Sequence, residues 1–182
     1  MFARLRDTIG VDPASLLSAG RKRIELALHG GGMQPAHRAA KVLRSAELAV
    51  EVADGKLGES LRSLDARNAR ALLKRFPGVG DPGADKLLLL AGMSGAPALD
   101  SNGLRCLVRL GAIDEQKSYQ AMYKLGVRYL RQNGVDSAEI ALKAFVLLRH
   151  HGRELCKRSA PICGPCPLRV TCPSAAERST LD

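Results

Sequence analysis

Four of the five cysteines in this chain of 182 residues fall in one short stretch: Cys156, Cys163, Cys166 and Cys172, spaced C-x6-C-x2-C-x5-C. Four thiolates converging from a loop with Pro and Gly suit a tetrahedral metal or an iron–sulfur cluster. Disulfides are the first alternative, and they form chiefly in oxidising compartments. Structural zinc is the stronger alternative. Zinc sites with four thiolates usually come as two CxxC-like knuckles on separate turns, and only one CxxC is present here. Intervals of six, two and five in one continuous loop fit a [4Fe–4S] cluster better. Cys106 stands apart, inside Leu104-Arg105-Cys106-Leu107-Val108-Arg109-Leu110, and reads as a buried core residue.

A second stretch, from Leu72 through Phe76-Pro77-Gly78-Val79-Gly80, runs from an apolar helix through a tight turn into another helix. The glycines let the backbone turn sharply and approach a ligand closely. Amides at such a turn and at the following helix N-terminus can bind a phosphate oxygen. That is the logic of a helix-hairpin-helix clamp on the DNA backbone, blind to base sequence. An ordinary helix–turn–helix junction is the plainer alternative.

Charge points the same way. With 28 Lys and Arg against 18 Asp and Glu, the formal net charge is +10, which favours a polyanionic partner such as DNA or RNA. Aromatic residues make up only 3%, against a base-stacking platform for single strands. The N-terminus has no hydrophobic signal core, and no apolar run approaches the ~20 residues of a membrane span. A cytoplasmic, nucleoid-associated protein is expected.

The elements that must position these groups are nearly all helical. Ala and Leu abound, β-branched alternation is scarce, and apolar residues recur at three and four. The spacing predicts helices over 13–17, 21–29, 35–53, 57–64, 65–76, 82–91, 102–110, 115–132 and 136–151. Asp12-Pro13 and Asp81-Pro82 read as an N-cap followed by Pro at the first helical position, and Asp65 reads as a third cap. The turn-rich segment 92–97 is the best internal boundary. A cysteine loop, 156–172, and a polar tail, 174–182, close the chain.

Together, and in this order, these motifs resemble the endonuclease III family of helix-hairpin-helix (HhH-GPD) DNA glycosylases. The cysteine spacing matches the family's iron–sulfur pattern. His151-Gly152-Arg153 followed by Cys156 looks like its HGR-x-x-C motif, and Phe76–Gly80 looks like its LPGVG hairpin. Leu99-Asp100-Ser101-Asn102 lies where the family carries its catalytic Asp. The resemblance runs from Ala3 to Cys172. It implies an all-α, two-lobed fold with DNA in the groove between the lobes: 1–94 a helical barrel with the hairpin, 95–182 a lobe with the cluster loop. It implies a [4Fe–4S] cluster on Cys156, Cys163, Cys166 and Cys172 that is structural and DNA-positioning. Gly78, Val79 and Gly80 would contact the DNA backbone, as would Lys157 and Arg158, with Arg153 and Arg169 as weaker candidates. Asp100 would be catalytic. A carboxylate beneath the deoxyribose stabilises the positive charge that builds as the N-glycosidic bond breaks, and it can orient a water. An Asp here can also simply cap the helix that follows, and the two roles are compatible.

The departures refine the expectation. Bifunctional members place a Schiff-base Lys where this chain has Pro82, which has no amine. Lys86, one turn later, is a weak substitute. Asn102 stands where relatives often have His, and Asp81 puts a negative charge beside the supposed phosphate site. The family's wedge motif, which fills the gap left by a flipped base, lies before the part that aligns with Phe2, so the expectation is either a shortened sequence or a variant with an incomplete barrel and weaker base extrusion. The reading is a monofunctional base-excision-repair glycosylase. It acts as a monomer on double-stranded DNA that carries a damaged or mismatched base, without a membrane partner. The alternatives are a catalytically impaired DNA-binding relative, or a zinc-loop nucleic-acid-binding module.

Overall fold

A computed structural model of the chain describes residues 2–179, and the side chains of residues up to 176. The described residues form helices and no strand: α1 (Phe2–Thr8), α2 (Pro13–Leu28), α3 (Pro35–Ala53), α4 (Leu57–Arg62), α5 (Ala66–Leu73), α6 (Asp81–Leu90), α7 (Ser101–Arg109), α8 (Tyr119–Gln132), α9 (Ala138–Glu154) and α10 (Pro173–Ser179), with a 3-10 turn at Arg169–Thr171. None of them is long and apolar enough to cross a membrane. The chain divides into two compact units, one up to Ala84 and one from Asp85 onward.

Local chemistry sets most of the boundaries. Asp12 caps α2 by accepting from the Ser15 amide, Asp65 caps α5 through Asn68, and Ser118 and Ser137 cap α8 and α9. α2 is broken at Gly20, whose φ of 69° and ψ of 172° are non-helical, so the two short helices expected from the sequence lie end to end across a kink. Asp81 corrects an expectation. It is the first residue of α6 rather than a cap outside it, and its carboxylate is drawn to Arg70 at 3.0 Å and Lys74 at 2.6 Å. Two short helices escaped the periodicity. α1 buries only Leu5, and α10 occupies part of the expected polar tail, of which residues 180–182 lie outside the described residues.

In the first unit Leu5, Leu16, Ile24, Leu28, Ala39 and Ala46 form one apolar cluster. Leu48, Ala49 and Phe76 form another, against which Val79 packs. The second unit is built around α7. Leu99 and Leu104 are wholly buried, with Leu107, Tyr123, Leu130 and Phe145 around them. Two glycines permit this packing. A Cβ on Gly126 would lie 2.7 Å from Leu99 Cδ1, and a Cβ on Gly152 would lie 2.8 Å from the Asn102 carbonyl oxygen. The second clash is with backbone, which cannot rotate away. Gly152→Ala is therefore expected to destabilise the second unit by about 3 kcal/mol. Thermal unfolding should register this as a melting temperature lower by roughly 10 °C.

Candidate active site and metal centre

The hairpin joins α5 to α6 within the first unit. Phe76 is buried and Val79 half-buried, so their side chains anchor the turn, while Gly78 and Gly80 are exposed and offer only backbone. Gly78 has a φ of +84°, in the left-handed region that suits glycine. The Val79 amide donates to the Phe76 carbonyl at 3.0 Å and closes the turn. Lys41, from α3, holds its ammonium 3.9 Å from where a Gly78 Cβ would be, a cation that the hairpin motif does not contain. The charge of Asp81 is offset by its two cationic partners, which removes the electrostatic objection to an anion at this turn.

In the second unit Asp100 is the N-cap of α7. Its Oδ1 accepts from the backbone amides of Asn102 and Gly103, both at 2.9 Å. Its Oδ2 accepts from Asn102 Nδ2 at 3.1 Å and pairs with Arg149 Nε at 3.5 Å. The side chain keeps 16% of its surface open, so the carboxylate is held yet reachable. Arg149 also stands 6.0 Å from the Phe145 ring centre. Tyr119, at the start of α8, has its phenol pushed above the ordinary value by burial and then by the Asp100 charge.

A path of hydrogen bonds leads away from this carboxylate. Asn102 Oδ1 accepts from Arg105 at 3.0 Å, and the same guanidinium donates to the Gly152 carbonyl at 2.6 Å and the Cys156 carbonyl at 2.9 Å. Arg109, one turn on, donates to Cys156 Sγ at 3.3 Å and to the carbonyls of Lys157 and Arg158 at 2.7 and 2.9 Å. Its own carbonyl accepts from Cys172 Sγ at 3.3 Å. The two ends of the cysteine loop are thus tied to one residue of α7. Lys157 and Arg158 are exposed, and with Asn102, Arg105, Arg153 and Tyr119 they line a broad cleft within this unit.

Cys156, Cys163, Cys166 and Cys172 all line a single cavity, together with Cys106, His151 and Arg109, and none of the five thiols is in a disulfide. Cys106 is buried, as its apolar surroundings in the sequence suggest. Burial, then neighbouring Cys156, pushes its pKa up to about 12. Burial, reinforced by neighbouring His150, lowers the pKa of His151. Among the described residues, the trio of ligand atoms within 4.8 Å of one another is Cys106, His151 and Cys156. Cys166 Sγ stands 3.8 Å from His151 Nε2. Arg105, Arg109 and Arg149 are not among the residues the sequence points to, and His151 is there only as part of a motif. Only the HGR motif, which contains His151, carried a local signal for any of them.

No family model matches the chain. Endonuclease III of Sulfolobus acidocaldarius is 26% identical over 177 residues, which cover 94% of this chain and 71% of that protein. Among solved structures, a trapped endonuclease III–DNA covalent intermediate superposes with a TM-score of 0.78 at 20% identity, covering 98% of this chain and 76% of that one. A non-covalent endonuclease III–DNA complex gives a TM-score of 0.79 at 21% identity, with the same coverage.

The chain has the endonuclease III fold.

A thermostable thymine-DNA glycosylase shares it as well, with a TM-score of 0.72 at 15% identity over 97% of this chain and 75% of that one. The resemblance to the helix-hairpin-helix DNA glycosylases therefore extends from motifs to three-dimensional structure. Within this endonuclease III fold, Pro82 is buried in the first turn of α6 and Lys86 is half-buried one turn later. At the position where the resemblance expects a Schiff-base amine, the chain has a ring that carries none.

Proposed function

We propose that the chain is a monofunctional DNA glycosylase of base-excision repair, hydrolysing the N-glycosidic bond of a damaged or mismatched base in duplex DNA. The observation that carries this reading is the Asp100 carboxylate, fixed at the head of α7 by two backbone amides and still partly open. Such a carboxylate stabilises the sugar cation as the base departs with the bonding electron pair. It also orients a water whose oxygen bonds to the sugar carbon, and takes up the proton that the water loses. Gly78, Val79 and Gly80 offer hairpin backbone to phosphate, and Lys157 and Arg158 offer side-chain charge. Cys156, Cys163, Cys166 and Cys172 would hold a [4Fe–4S] cluster, which supplies rigidity to the loop that presents Lys157 and Arg158. All four thiols line one cavity and none is in a disulfide, as a cluster that takes one thiolate at each iron requires.

The test is base release from a panel of duplexes with damaged or mismatched bases. Expected are free base and abasic sites that stay intact until alkali is added, with no protein–DNA adduct under borohydride. Robust trapping would put an amine, Lys86 first, back into the chemistry. DNA binding should weaken with salt. Removing both cations in Lys157→Ala/Arg158→Ala should reduce the slope of log K against log salt by about 2. An unchanged slope would remove both residues from the footprint.

A second reading is a DNA-binding relative that no longer cuts. Arg149 favours it, because a guanidinium 3.5 Å from Oδ2 offsets the charge on which the hydrolysis depends. Complete inactivity on the panel together with tight duplex binding would select it.

A further inference from the structure

We propose that the cysteine cavity has a second way of holding metal: a single thiophilic divalent cation of the zinc class, bound by Cys106, Cys156 and His151 with Cys166 as fourth ligand, when no cluster is present. The ligand atoms of the first three already lie within 4.8 Å of one another. A tetrahedral zinc with sulfurs at 2.3 Å needs them about 3.8 Å apart, so closure requires movements of no more than about 1 Å. Cys166 Sγ stands 3.8 Å from His151 Nε2, already at ligand–ligand spacing. The set is three thiolates and one imidazole, a common structural zinc class. Cys106 comes from α7, His151 from α9, and Cys156 and Cys166 from the loop, so the ion would pin the loop to the helices beneath it. On binding, the three thiols release their protons to solvent and no redox change occurs.

This arrangement and the proposed cluster share Cys156 and Cys166, so the two exclude each other. Cys163 and Cys172 serve the cluster alone, and Cys106 and His151 serve the single ion alone. That division makes the inference separable from the reading above, although it occupies the same cavity.

The experiment uses the full chain prepared from iron-limited cells, its helix content checked by circular dichroism, and titrated anaerobically with Co²⁺. One cobalt per chain should bind, with the visible bands of a tetrahedral thiolate site. Cys106→Ala and His151→Ala should each weaken that binding by more than about 100-fold. Cys163→Ser should bind cobalt like the wild type. If the iron-free chain does not fold, cobalt is added to the iron-loaded protein instead: iron release should then depend on Cys106. Loss of the cobalt bands in Cys163→Ser with Cys106→Ala unaffected would overturn the proposal, as would a folded wild-type chain that binds no cobalt. A chain that never holds iron yet binds cobalt through Cys106 would sink the cluster and leave this inference standing.

Discussion

Asp100→Asn is expected to lower base release by about 1000-fold while duplex affinity stays within about threefold of wild type. The substitution isolates charge from architecture. Asn is as good an N-cap as Asp, so the amides of Asn102 and Gly103 keep an acceptor and α7 keeps its start. On the proposed mechanism, what is lost is the negative charge facing the developing sugar cation and the base that takes the water's proton. Single-turnover release on a cleavable duplex measures the first effect, and fluorescence anisotropy on the same duplex measures the second. Asp100→Ala is the wrong probe, because it also removes the cap at a cost of about 1 kcal/mol. Equal release by Asp100→Asn and wild type would move catalysis elsewhere.

Cys163→Ser should empty the chain of iron. Four thiolates are needed to close a [4Fe–4S] cubane, and a serine hydroxyl at one corner is a poor ligand for iron. Wild-type protein purified anaerobically should be brown and carry about four irons with matching sulfide, whereas the variant should be colourless. Duplex binding should fall with it. Arg109 holds the loop at Cys156, Lys157, Arg158 and Cys172, but the middle of the loop around Cys163 and Cys166 has mainly its own short turns to shape it. Colourless wild-type protein that carries stoichiometric zinc and takes up no iron on anaerobic reconstitution would overturn the cluster.

The features legible in sequence are those that chemistry places close together along the chain. The cysteine spacing, the Pro-Gly-Val-Gly turn and the Asp caps are each encoded within a few residues, and a reader needs no fold to see them. The helices of the second unit were legible because their apolar faces repeat. α1 and α10 were not: α1 buries only Leu5, so no apolar face repeats along it, and α10 lies in a polar stretch. Arg105, Arg109 and Arg149 were illegible for another reason. Each sits on a helix surface where an arginine is ordinary, and each acquires a role only because α7 and α9 meet at Gly152. Asp81 was misread because Asp-Pro is a common cap signal. Only the fold reveals that Arg70 and Lys74 compete for its carboxylate.

The relay Asp100–Asn102–Arg105–Cys156 joins the carboxylate that caps α7 to the first cysteine of the loop through side chains and one carbonyl. If the proposed cluster is present, an oxidant that strips its iron would free the middle of the loop first, because Arg109 still holds its two ends. Asp100 itself would keep its two amide donors on α7, so the cap should outlast the loop.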